Sequence, residues 1–141
     1  MGSGMIRRIL IAYDGSPGAR RALETGAQLA IALGASVGVV SAVPARAGQR
    51  PDDPWSETSA HAAELHEAQV ILAAAGLEAA THEPVGKPGN MIVKVAEEFG
   101  YDAIVLGSRE LGPVRRAVLG SVSSYVATNT EATVIIARSR G

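Results

Sequence analysis

The chain alternates between short aliphatic runs and longer segments with helical spacing, and this alternation limits its fold more than any other feature. Four runs have the length and β-branched content of strands: Ile6 to Ala12, Val37 to Val43, Ala103 to Leu106 and Thr133 to Ala137. A fifth run, Leu77 to Glu83, is more polar. Because the runs are almost continuously apolar, they predict parallel strands that are buried on both faces and joined by right-handed crossovers.

The segments between these runs carry helix signals at their ends. Ser16-Pro17 supplies an N-cap followed by proline at the first helical position, and Gly34, Gly76 and Gly100 each follow the last periodic residue. The order of elements therefore predicts an α/β protein with three α/β/α layers and a five-stranded parallel sheet, which is a Rossmann-like architecture. The predicted buried helix faces are Ala19, Ala22, Leu23, Gly26, Ala27 and Ala30, then Leu65, Ala68, Leu72 and Ala75, and then Ile92, Val95, Ala96 and Phe99.

Composition removes several classes of protein. A chain of 141 residues with 47% apolar residues has the size of one domain, and its net charge of −1 argues against binding nucleic acid or acidic membrane through bulk charge. The lack of cysteine excludes a disulfide framework and a thiolate nucleophile. No apolar run approaches the ~20 residues of a membrane span. We expect residues 1–4 to be an expression leader, residues 5–141 to form one domain, and the protein to be cytoplasmic.

The candidate binding residues follow the predicted strands. In a doubly wound sheet, ligands bind outside the carboxyl ends of the strands. Ala12 to Ser16 follows the first strand, Ser41 to Val43 the second, and Gly107 to Arg109 the fourth, while Gly120 to Ser123 opens a helix. Backbone N–H groups and a helix N-terminus at one place are a common way to hold phosphate. The hydroxyls of Ser121 and Ser123 add hydrogen-bond donors, and Arg109 adds positive charge.

These residues resemble the universal stress protein family over Met5 to the C-terminus. The similar segments are ILIAYDGSPGARRAL, the Gly86-x-Pro88 step, the AIVLGSR strand end and the closing ATVIIAR strand. The most specific part is the nucleotide loop of the family, which reads Gly, two residues, Gly, nine residues, Gly, then Ser or Thr. Here it begins at Gly107 and ends at Gly120-Ser121, but Glu110 stands in place of the second glycine.

The resemblance implies a regulator of the stress response that binds an adenine nucleotide and forms homodimers through its last strand, Thr133 to Ala137. It implies ATP as ligand, with Mg or Mn bridging the phosphates, and leaves cyclic AMP open. Asp14 would contact the ribose, and the backbone of Tyr13 and Ala42 would lie beside the adenine. The full implied set is Ala12, Tyr13, Asp14, Ala42, Gly107, Arg109, Glu110, Gly120, Ser121, Val122 and Ser123.

Glu110 predicts that ATP binding is weakened or lost. A glycine in a loop often allows a positive φ or the close approach of a ligand, and glutamate is unfavourable for both. Its carboxylate would also face phosphate. At about 5 Å and an effective dielectric constant of about 20, that repulsion is roughly 3 kcal/mol before screening, on the order of a hundredfold in affinity.

Two other functions remain open. An ATP-using enzyme such as an adenylating ligase or a PP-loop pyrophosphatase would carry Ser-Gly-Gly-x-Asp-Ser or His-x-Gly-His after the first strand, whereas this chain reads YDGSPGARR, and at most slow ATP hydrolysis is expected. An interaction module with a vestigial nucleotide pocket is the third possibility. A purely structural interpretation makes Asp14 to Pro17 a turn and helix start, and Gly120-Ser121 a helix cap.

The remaining polar residues predict no site of their own. His61 and His66 lie about 140° apart around a helix, so they cannot face one metal ion together. His82 is expected on an exposed strand face. We interpret Arg115-Arg116 as a solvated pair and Pro44 to Pro54 as a mobile loop.

Overall fold

The computed structural model describes residues 5–44, 57–110, 117–118 and 120–138. The predicted leader, Arg115-Arg116 and all but the first residue of the Pro44 to Pro54 segment lie outside this described part. The strands are β1 (Arg8–Ala12), β2 (Ser36–Val40), β3 (Ala79–His82), β4 (Ala103–Gly107), β5 (Arg109–Glu110), β6 (Ala117–Val118) and β7 (Thr133–Ala137). The helices are α1 (Pro17–Leu33), α2 (Glu57–Ala74), α3 (Pro88–Phe99) and α4 (Ser121–Asn129).

Five strands form one parallel sheet in the order β3-β2-β1-β4-β7. Along the chain, β2 and β3 are added on one side of β1, and β4 and β7 are then added on its other side. The order therefore reverses between β1 and β4, and such a reversal leaves a crevice at the carboxyl ends of the two strands. The predicted five-stranded parallel α/β fold is confirmed.

Helices cover both faces of this sheet, because successive strand residues point to opposite sides. Ile9 and Ile11 pack with residues of α1 and α2, whereas Leu10 and Ile104 pack with residues of α3 and α4. All four side chains are fully buried. The result is the predicted arrangement of three layers with two aliphatic cores.

The helix signals in the sequence act as predicted. The hydroxyl of Ser16 accepts a hydrogen bond of 3.1 Å from the N–H of Ala19, and Pro17 begins α1. Gly34 and Gly100 adopt the left-handed conformation, with φ of 66° and 70°, after α1 and α3. No helix among the described residues is long and apolar enough to cross a membrane.

Several predicted boundaries and faces are wrong in detail. β2 ends at Val40, although the N–H of Ser41 still donates to His82 and a bridge joins Val43 to Val85. The regular ladder stops here because Pro84, after β3, has no N–H to donate. Phe99 belongs to the predicted buried face of α3 but is 46% exposed, since it is the last residue of the helix. Ala75 lies beyond the end of α2 and is exposed.

His82 also differs from its prediction, because it is half-buried. Its Nε2 lies 2.7 Å from the hydroxyl of Tyr101, which crosses the sheet above Gly38. The ring of Phe99 lies 4.6 Å from the His82 ring between centroids. Burial, together with the nearby charge of Arg8, lowers the pKa of His82 below its ordinary value.

The two shortest strands were absent from the predicted order of elements. Arg109–Glu110 pairs with Ala117–Val118 as an antiparallel ladder. The sequence predicts only a connection between Gly107 and Gly120, since runs of two residues are too short to show a period.

Candidate functional site

A cavity of about 300 Å³ opens at the carboxyl ends of β1, β2 and β4, where the strand order reverses. Polypeptide from the start of α1, from α2, from α3 and from the first turn of α4 completes its wall. Its position is that of the ligand crevice in doubly wound sheets. Nine of the residues singled out from the sequence line it: Ala12, Tyr13, Asp14, Ala42, Gly107, Gly120, Ser121, Val122 and Ser123.

The other two predicted residues, Arg109 and Glu110, are described only in their backbone. They form β5, paired with Ala117–Val118. A strand residue has an extended backbone, which any residue adopts. A left-handed backbone is therefore not a reason for glycine at position 110 in this structure, and that part of the expectation is corrected. The expected effect of the Glu110 charge stays a prediction.

One end of the cavity has features that suit an anion. α4 begins there with Gly120 as N-cap, and no side chain of the described residues caps its first N–H groups. The hydroxyl of Ser108 is buried and has no hydrogen-bond partner among the residues the structure describes. Ser108 and Ser123 are each only 5% exposed, and both line the cavity. Buried hydroxyl donors beside a helix N-terminus suit phosphate oxygens.

The apolar part of the cavity wall comes from the α3 and α4 side of the sheet. Val40, Ile92 and Leu106 belong to the core between the sheet and these two helices, and Val122 packs against it. Flat apolar ligands bind against such walls, because contact with aliphatic groups removes their surface from water.

Asp14 lies on the polar part of the wall. Its Oδ1 accepts a hydrogen bond of 3.0 Å from the N–H of Ser16, which ties the carboxylate to the start of α1. Asp14 is exposed, so its second oxygen can meet a polar ligand group.

Sequence reasoning did not identify His61 as a cavity residue, although it singled out its partner Ser41 at the end of the second strand. The Oγ of Ser41 lies 2.6 Å from Nδ1 of His61. A signal for His61 was present in the sequence, since it precedes Leu65 by four residues and Ala68 by seven and therefore shares their buried face. His66 is exposed on the opposite side of α2.

This pair is not the core of a serine–histidine–carboxylate triad. Oε1 of Glu64 lies 3.0 Å from Nδ1 of His61, the same nitrogen that Ser41 contacts. In a triad the serine and the carboxylate contact different nitrogens of the imidazole, so that the ring can pass a proton. The arrangement holds the ring in place instead.

Tyr13, another residue of the cavity wall, makes a second polar contact with α2. Its hydroxyl donates a short hydrogen bond to Oε1 of Glu67, and Arg20 contacts the same oxygen at 3.0 Å. Burial, with the hydrogen bond and charge of Glu67, raises the pKa of Tyr13 to about 12. Burial also raises the pKa of Glu64, against the effect of His61.

Comparisons with known proteins agree on one family. Residues 5–138 match the Universal stress protein family. A universal stress protein encoded beside a QAH/OAS sulfhydrylase in Thermus aquaticus is 34% identical over 142 residues, covering 95% of this chain and all of the relative.

Two solved structures with bound nucleotides are similar to the chain over nearly its whole length. The structure of an Archaeoglobus fulgidus universal stress protein in complex with dAMP has a TM-score of 0.75 and 29% identity, and the match covers 94% of this chain and 98% of that one. A universal stress protein in complex with cAMP has a TM-score of 0.78 and 26% identity, covering 97% and 100%.

Proposed function

Because this chain belongs to the universal stress protein family, we propose that it is a regulator of the stress response that binds an adenine nucleotide in the cavity beside β1, β2 and β4. The observation that carries the proposal is the N-terminus of α4 beside the hydroxyl of Ser108, which has no hydrogen-bond partner among the described residues. The bound dAMP and cAMP of two similar structures support it. A cytoplasmic location is part of the same proposal.

The walls of the cavity favour one orientation of the proposed nucleotide. The base lies on the apolar wall of Val40, Ile92 and Leu106, where it loses contact with water. The phosphate meets the first turn of α4, whose N–H groups and positive dipole end favour an anion. The ribose then lies between them, beside Asp14. A volume of about 300 Å³ is at the lower end of the range typical for ligand pockets.

The proposed ligand is ATP, which the family resemblance implies. The described residues contain no group of three or more His, Cys, Asp or Glu side chains that could hold a metal ion. Mg²⁺ or Mn²⁺ would therefore enter with the nucleotide, held mainly by phosphate oxygens and water, as Mg²⁺ commonly is. Such an ion would neutralise phosphate charge.

We propose that Glu110 weakens ATP binding through its charge. The matched variants are Glu110→Gln, which removes the charge alone, and Glu110→Gly, which restores the family pattern. Equilibrium dialysis with ATP should give both variants a higher affinity than the unchanged chain, by about tenfold or more. Equal affinity of all three proteins for ATP would refute this role of Glu110.

The second candidate function is an interaction module with a vestigial pocket, and Glu110 is the residue that favours it. Analysis of nucleotides released by denaturing the purified protein separates the candidates. Bound ATP or AMP supports the nucleotide-binding regulator, whereas an empty pocket that also takes up no added nucleotide supports the interaction module. Rapid conversion of ATP to ADP would instead indicate an enzyme.

The proposed homodimer uses β7, the edge strand next to β4. The N–H of Thr133 donates to Asp102, and the C=O of Ala137 accepts from Ser108, so these two residues face β4. Strand residues alternate, and Val134 and Ile136 therefore turn their N–H and C=O groups to the open edge. An apolar edge of this kind can pair with the same strand of a second copy across a two-fold axis.

A further inference from the structure

Apart from the end at the start of α4, the cavity has one apolar and one polar side, which lie on opposite faces of the sheet. Val40, Ile92 and Leu106 belong to the core under α3 and α4. The polar residues Ser41 and His61 lie on the other side, where α2 packs. With the base on the apolar wall and the phosphate at α4, the remaining polar part of a bound nucleotide, its ribose, can face α2.

His61 is the best-positioned polar side chain on that side. Its side chain is only 20% exposed, and α2 is anchored directly after it by the buried residues Leu65 and Ala68. Its Nδ1 lies 2.6 Å from Oγ of Ser41 and 3.0 Å from Oε1 of Glu64. These contacts fix the plane of the ring, so a ligand meets an imidazole that is already oriented.

We propose that His61 is a ribose-binding residue which, together with Asp14, recognises the two neighbouring hydroxyls of an adenine ribonucleotide. The inference rests on the proposed nucleotide-binding function and adds a specificity to it: the chain prefers ribonucleotides to deoxyribonucleotides. Asp14 reaches the ribose from the β1 side of the cavity, and His61 reaches it from the α2 side.

The chemistry of a hydroxyl suits this imidazole. Since Ser41 and Glu64 both contact Nδ1, Nε2 is the nitrogen left for the ligand. Nε2 either donates or accepts, depending on the tautomer, and a hydroxyl can pair with it in both cases.

The test compares the binding of AMP, 2′-deoxy-AMP and 3′-deoxy-AMP by calorimetry. The unchanged chain should bind AMP about 3- to 10-fold more tightly than at least one of the deoxy analogues, which is the effect of one hydrogen bond. His61→Ala should bind AMP more weakly by a similar factor and bind that analogue as before. His61→Gln, whose amide also donates and accepts, should keep part of the preference.

His66→Ala is the matched control, because His66 is an exposed histidine on the same helix, and it should leave all three affinities unchanged. Thermal unfolding shows whether each variant is folded. Equal binding of the three nucleotides to the unchanged chain, or an equal loss for all three in His61→Ala, would overturn the inference. Failure of the unchanged chain to bind any nucleotide would instead overturn the proposed function and the inference with it.

Discussion

Gly18 in the first turn of α1 and Gly107 at the end of β4 lie backbone against backbone. A Cβ atom on Gly107 would overlap the carbonyl group of Gly18, and one on Gly18 would lie 2.7 Å from the carbonyl oxygen of Ser108. Neither glycine has a positive φ. The close approach of two backbones, and not turn geometry, requires glycine at both positions, and it sets the distance between α1 and β4 beside the cavity.

Gly107→Ala should therefore destabilise the protein. The added methyl group forces α1 away from β4, and overpacking of this kind costs roughly 1–3 kcal/mol in the free energy of unfolding. Urea denaturation measures this loss. Gly34→Asn is the control, because Gly34 has nothing within 4 Å of an added Cβ and asparagine tolerates its left-handed backbone. Similar losses in the two variants would contradict the close-approach explanation.

Tyr13 should ionise only in strong alkali. Burial and Glu67 raise its pKa from 10.0 to about 12, so the folded state holds this proton more tightly than the unfolded state. The resulting stability is fully present below pH 10 and is lost as the pH rises towards 12. The ultraviolet absorbance of tyrosinate follows the titration.

Glu67→Gln should shift that titration to lower pH, because it removes the carboxylate charge but leaves the burial. Glu97→Gln, an exposed carboxylate on α3, is the control and should have no effect. An unchanged Tyr13 titration in Glu67→Gln would show that Glu67 does not contribute.

His82 should make the protein less stable in acid. Burial, and then Arg8, lowers the pKa of His82 in the folded state, so between this lowered pKa and the ordinary value of 6.5 the unfolded state binds more protons. The free energy of unfolding therefore falls as the pH drops below 6.5. Between neutral and mildly acidic pH, the free energy of unfolding measured by urea denaturation should fall less for His82→Gln than for the unchanged chain. For the control His66→Gln it should fall as much as for the unchanged chain. An equal loss of unfolding free energy in acid for His82→Gln and the unchanged chain would show that His82 is not the cause.

The edge of β7 gives a specific test of the proposed dimer. Val134→Pro removes an N–H that points away from β4, so it should break pairing between copies and leave the sheet within each chain intact. Analytical ultracentrifugation should find a dimer for the unchanged chain and for Val134→Thr, and a monomer for Val134→Pro. A dimer in all three proteins would place the interface elsewhere.

Local chemistry made much of the fold predictable. Ser16, Pro17, Gly34 and Gly100 act on their own helix ends, so their roles do not depend on distant contacts. The aliphatic runs likewise predicted the sheet, because strands buried on both faces need almost continuous apolar residues. The helix start at Gly120-Ser121 and the cavity residues at the strand ends follow from the same logic.

What the sequence did not predict depends on distant pairs. His61 reaches the cavity only because α2 packs against the end of β2, which brings it to Ser41. His82 is half-buried because Tyr101 crosses the sheet over Gly38. Such contacts join residues far apart along the chain, so helical spacing can place His61 on the buried face of α2 but cannot identify its partner.

Binding of AMP and ATP to the purified chain and to two variants of Ser121, measured by calorimetry, shows whether the start of α4 holds the phosphate of a nucleotide. Aspartate at the first position of α4 favours the helix but places a carboxylate where the phosphate is proposed to lie. We expect one nucleotide per chain for the unchanged protein, at least about tenfold weaker binding for Ser121→Asp, and near-normal binding for the neutral Ser121→Asn. No binding to the unchanged chain, or undiminished binding to Ser121→Asp, would contradict this expectation.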